Sequence, residues 1–212
     1  MSDTISGLGN ALLAIDHFIK NEPQQVFSIG KNIIFDWGKE LNYLPKSLTA
    51  VQPIVTLASD ALDFTSPLNS WAELIDKCEG LFTSPDYFEV ISSFLSFLSD
   101  LSYSVCLMSS YALSCGAFFE DTLEVVSTTL GLITIGMTIA REVNTIYYSD
   151  EVDTKMKAEL VASSLSLLRS SLYLSMLCLK TAYKPYVLTC TTAINVTKLA
   201  IYIMNHPNET TD

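Results

Sequence analysis

Residues 101–119 read LSYSVCLMSSYALSCGAFF, nineteen positions without a charge, and residues 125–140 read VVSTTLGLITIGMTIA, sixteen more. Only the acidic step EDTLE separates them. A helix of about 20 residues crosses a hydrocarbon layer about 30 Å thick, so the first block qualifies on length and the second comes close. The pair has two readings. It forms a membrane hairpin turning at 120–124, or it supplies the innermost helices of a soluble bundle.

The first block belongs to a longer helical pattern. Ser84-Pro85 puts a capping hydroxyl before a proline suited to the first turn. From there Tyr87, Ile91, Phe94, Leu98, Leu101, Val105, Met108, Ala112, Cys115 and Phe119 alternate at steps of four and three. That spacing predicts one helix over 86–119 with a coiled-coil-like seam. The positions beside the seam are also apolar, so the helix is expected to be surrounded. Nine serines between Ser92 and Ser114 lie on the same segment. In a soluble bundle they give it a modest polar face. In lipid they bond to carbonyls one turn back.

Outward from this segment the rest of the chain reads as helix, about eight in all. Helices are expected near 4–20, from Pro23 to about Gly38, over 47–63, and from Ser66 to Gly80. After the long helix come 121–148, opened by the capping-box-like Asp121-Thr-Leu-Glu124, then 153–183 and 186–204. The fold class is therefore all-α. Residues 1–83 are short amphipathic pieces holding both tryptophans. Residues 84–204 are four long apolar helices, and 205–212 form a flexible tail.

Composition bounds the partners. Of 212 residues, 49% are hydrophobic and 17% charged, against about 25% charged in a typical soluble domain. Mean hydropathy is +0.33. The net charge of −11 disfavours nucleic acid, which needs a basic footprint. It also disfavours simple electrostatic attachment to anionic lipid, so any membrane association must come from apolar insertion. Five cysteines, with no CxxC, read as small buried hydrophobes in a reducing compartment. The opening MSDTISGLGN lacks the basic start of a cleavable signal.

No chemistry stands out. His17 and His206 have no metal-ligand spacing around them, and no phosphate loop or nucleophile elbow occurs. The expectation is a protein without catalytic, cofactor or metal residues. The candidate residues are structural. Ala112 with Gly116 and Gly136 with Ala140 are small pairs at helical spacing, suited to close helix contact in lipid. Trp37, Trp71, Tyr147, Tyr148, Tyr183 and Tyr186 are candidates for membrane-interface aromatics.

The sequence thus predicts a non-enzymatic, membrane-associated helical protein that inserts residues 89–146 as a hairpin. It would shape a membrane or recruit a partner to it. Partners expected are membrane lipid and a protein partner or a second copy. Arg141, Lys155 and Lys157, opposite the acidic step, put the N-terminal region in the cytosol. On that reading Asp100 marks the interface. Arg169 and Lys198 interrupt the last two helices at about 2.5–3.5 kcal/mol per central charge, which favours an interfacial place for those helices or packing over the first hairpin. The alternative is a cytoplasmic helical-bundle interaction module that takes an apolar helix or a lipid in a groove.

Overall fold

The protein's structure, a computed structural model, describes residue 15 and residues 17–80, 86–109, 111, 117–149, 151–179 and 183–205. Among these residues all regular structure is helical. The elements are α1 (Pro23–Gly30), a π-helical segment (Lys31–Asp36), α2 (Trp37–Glu40), α3 (Lys46–Asp63), α4 (Ser66–Gly80), α5 (Tyr87–Met108), α6 (Ala117–Tyr148), α7 (Thr154–Leu179) and α8 (Lys184–Asn205). Residues 17–21 are also helical and lead into α1. The all-α expectation is met, and α4 runs as its serine start and glycine end predict.

Two boundaries differ from the sequence reading. The start signal at Ser84-Pro85 lies outside the described residues. The observed cap of α5 is Asp86, whose Oδ1 accepts from the amides of Phe88 and Glu89 at 3.1 Å. The predicted helix 86–119 is in fact two pieces. α5 ends at Met108 and α6 begins at Ala117. The chain therefore reverses inside the uncharged block, and not at the acidic step. Glu120, Asp121 and Glu124 sit within the first turns of α6.

α5 and α6 form an antiparallel pair. Ser99 Oγ donates to the Ser127 carbonyl at 3.0 Å, and Ser127 Oγ donates to the Ser99 carbonyl at 3.0 Å. Cys106 Sγ reaches the Glu120 carbonyl at 3.5 Å. At the far end Arg141 pairs with Glu89. α7 packs along α6, with Ser163 Oγ donating to Glu142 at 2.8 Å and the Tyr173 hydroxyl donating to Glu124. α8 then returns along α7.

The N-terminal helices continue this packing. α4 lies antiparallel on α5, through Ser70 to Asp100, Trp71 against Phe97 at 5.1 Å, and Lys77 to Glu89 at 3.0 Å. The segment 17–40 runs antiparallel along α8. His17 meets Tyr202 at 2.5 Å at one end, and Glu40 meets Lys184 at 3.6 Å at the other. Between them, Trp37 Nε1 donates to Thr192 Oγ1 at 2.9 Å, and Thr192 donates to Asn32 Oδ1 at 2.8 Å. Lys31 reaches Ser59 of α3 at 3.2 Å. The helices thus follow one another around a common interior.

Glu89 ties α4 and α6 to the start of α5. Both of its ion pairs, to Lys77 and Arg141, are partly exposed, so each contributes modestly. Glu89→Ala is expected to lower stability by about 1 kcal/mol, read as a lower unfolding midpoint in detergent. A midpoint equal to the wild type would show that the ion triplet adds nothing.

Candidate functional site

The distribution of polar and apolar side chains is the reverse of a water-soluble bundle. On α5, the seam residues Tyr87, Ile91, Phe94, Leu101 and Met108 are exposed, while Ser93, Ser104 and Ser109 are buried. The seam predicted as a packing face therefore points outward, and the serine stripe points in. The same holds on the other helices, where Ile133, Val143, Val161, Leu168 and Val196 are exposed. Even the N-terminal helices turn Ile33, Ile54, Leu57 and Leu68 outward and Asn32 and Ser70 inward. Among the described residues, seven apolar and six polar side chains are buried, far from the apolar dominance of an ordinary core.

Exposed apolar side chains in this number are compatible with membrane association. Four helices are long and apolar enough to cross a membrane: Tyr87–Met108, Glu120–Tyr148, Thr154–Leu179 and Lys184–Asn205. The last two match the first two in length and apolar character, and α7 packs over the α5–α6 pair, one of the two places the sequence suggested for them. Arg169 and Lys198 explain how their charges are accommodated. Arg169 turns into the interior. Lys198 is exposed on α8, seven residues before Asn205 and about 10 Å from that end along the axis.

Hydroxyls secure the backbone within this setting. Ser102, Thr128, Thr134, Ser166, Thr191 and Thr197 each donate to the carbonyl four residues back, at 2.7–3.1 Å. This is the behaviour expected of serine and threonine in lipid, where no water satisfies them.

Between α5, α6, α7 and α8 lies an open-sided cavity of about 470 Å³. α5 contributes Ser96, Ser99, Asp100 and Tyr103; α6 contributes Ser127, Thr128, Gly131 and Thr134. Arg169, Ser170 and Tyr173 come from α7 and Thr191 from α8. Asp100 thus does not mark an interface: it lies well inside α5, lines the cavity and accepts the Ser70 hydroxyl. Arg169 is the sole cation on the wall. Outside the four long helices, burial pushes the carboxyls of Asp36 and Asp63 above the usual carboxylate range, and Lys31 opposes the shift in both. Among the described residues, no three His, Cys, Asp or Glu side chains converge as metal ligands would.

The predicted packing residues are placed as follows. Ala112 and Gly116 lie outside the described residues. A Cβ added at Gly136 meets nothing within 4 Å, and Ala140 is exposed. The close approach within the pair lies instead at Gly131, where an added Cβ meets Ser99 Oγ at 3.5 Å. Of the aromatics, Trp37 is half-buried on Thr192, and Trp71 is exposed beside Phe97. Tyr147 and Tyr148 are exposed at the end of α6, and Tyr183 and Tyr186 pair at 6.5 Å at the start of α8. The two tyrosine pairs sit at opposite ends of the bundle.

No protein-family model matches the sequence, no curated protein is similar to it, and no solved structure matches its fold.

Proposed function

We propose that this chain is an integral membrane protein that acts without covalent chemistry. Its four long helices cross the bilayer together as one bundle, flanked by the N-terminal helices, and keep a polar compartment within lipid. The observation that carries this reading is the reversal of faces on α5: Phe94 and Leu101 outward, Ser93 and Ser104 inward. The tyrosine pairs at the two ends support it, because tyrosine favours the membrane–water boundary. Insertion of the 89–146 hairpin is part of this arrangement, with α4 and α7 packed on either side of it. Lipid is the first partner, and the exposed Gly136–Ala140 face on α6 is where a protein partner or second copy would meet it.

The end of the bundle bearing Arg141, Lys155 and Lys157 faces the cytosol on this reading, along with His17 at the head of the N-terminal segment. Two native cysteines test the orientation. Cys78 is exposed near that end, and Cys178 is exposed at the opposite end. Untagged protein is expected to float with membranes and to resist alkaline carbonate. In intact cells an impermeant maleimide is expected to label the protein through Cys178, and a Cys78→Ser change is expected to leave that labelling unaltered. Release by carbonate, or a monodisperse protein without detergent, overturns insertion. Labelling lost in Cys78→Ser overturns the orientation alone.

A further inference from the structure

We infer that the interior cavity is a binding site for a small oxyanion, a carboxylate or phosphate group, held by Arg169. The inference rests on the embedded reading for the cost of leaving this guanidinium bare, but the site itself is defined by the cavity. Among the described residues, Arg169 makes no ion pair and no hydrogen bond. The acids nearby are engaged elsewhere. Asp100 accepts from Ser70 at the α4 side of the cavity, and Glu124 accepts from the Tyr173 hydroxyl. The charged group nearest to Arg169 on α8 is Lys198, also a cation. Among the described residues Arg169 thus forms no ion pair at its place on the wall, while Asp100 lines the same cavity from α5.

Spare donors complete the site. Ser96, Tyr103 and Ser170 line the same cavity and donate to no described residue. An arginine fork binds the two oxygens of a carboxylate or phosphate in parallel, and neighbouring hydroxyls take the remaining lone pairs. The cavity volume of about 470 Å³ lies in the range of sites that enclose small organic ligands. Ionisable side chains in the middle of membrane helices face such cavities and mark the route or seat of a solute. The oxyanion has two sources, a dissolved acid or the headgroup of an anionic phospholipid.

The test uses purified full-length protein in neutral detergent, titrated at fixed ionic strength with sodium phosphate or sodium acetate in place of chloride. The unfolding midpoint is followed by intrinsic fluorescence. A parallel arm adds phosphatidylglycerol to the micelles. A saturable rise in midpoint with a dissolved anion is expected, weakened at least tenfold in Arg169→Gln and partly kept in Arg169→Lys. A rise with phosphatidylglycerol alone, lost in the same variant, assigns the group to lipid. If Arg169→Gln does not fold, Tyr103→Phe with Ser170→Ala is expected to weaken binding three- to tenfold. No rise with any probe, or equal rises in wild type and variants, overturns the site. Because binding is read on solubilised protein, that failure is distinct from loss of membrane flotation.

Discussion

Ile133→Asp is expected to abolish stable membrane insertion, while Thr134→Asp, one residue further on, is tolerated far better. Ile133 lies at the middle of the span Glu120–Tyr148 and is exposed on its outer face. Aspartate at a helix centre costs about 2.5–3.5 kcal/mol on insertion scales, and the favourable isoleucine term of roughly 0.5 kcal/mol is lost with it. The sum corresponds to a hundredfold or more in the insertion equilibrium. Thr134 faces the cavity, where a carboxylate keeps polar neighbours. The measurement is the carbonate-resistant fraction of each variant. If the two behave alike, or if Ile133→Asp is simply soluble and helical, the outer faces of the bundle do not meet lipid.

Gly131→Leu is expected to destabilise the folded bundle, whereas Gly136→Leu is neutral or slightly stabilising for it. At Gly131 the added Cβ makes ordinary contact with Ser99 Oγ at 3.5 Å, so the further carbons of a leucine must displace that hydroxyl from its bond to Ser127 or intrude on the polar cavity that Gly131 also lines. Overpacking of this kind costs about 1–3 kcal/mol, and each cross-helix hydrogen bond in lipid adds about 0.6 kcal/mol when lost. At Gly136 a leucine meets open space, and replacing a mid-helix glycine gains up to about 1 kcal/mol of helix propensity. Unfolding midpoints in detergent separate the two. If oligomer size changes in Gly136→Leu while its midpoint does not, that glycine serves contact between copies. Equal loss of midpoint in both variants would mean that the α5–α6 seam is not where the serine bonds put it.

The helix inventory was legible because proline, serine and glycine mark starts and stops by local geometry. Ser66-Pro67 and Gly80 bound α4, and Lys184-Pro185 opens α8, as their residue types require. The reversal between Met108 and Ala117 was not legible. It falls in a block with neither charge nor proline, while the acidic step beyond it imitates a turn. The outward seam of α5 was hidden for a different reason. A four-three spacing is the same whether the apolar stripe faces protein or lipid, and only the serine stripe opposite it decides between them. The cavity was harder still. Ser96 and Tyr103 lie about seventy residues from Arg169 and Ser170 in sequence. Singly, the arginine reads as a cost and the serines as a polar face. Only their convergence across two helices distant in sequence gives them a joint meaning.

The π-helical segment has a consequence of phase. Asn32 and Trp37 are five positions apart, and in an α-helix their side chains would diverge by about 140°. A π turn closes its hydrogen bonds five residues on, so the same two positions come round to within about 50° of each other. That is why both meet one acceptor–donor, Thr192 of α8. The widened turn acts as a one-residue shim. Removing any single position between Ile33 and Asp36 would return the segment to α-helical winding. Asn32 and Trp37 would then stand four positions apart, about 40° around the axis, so both would still reach Thr192 and the N-terminal helices would stay in step with the bundle they close.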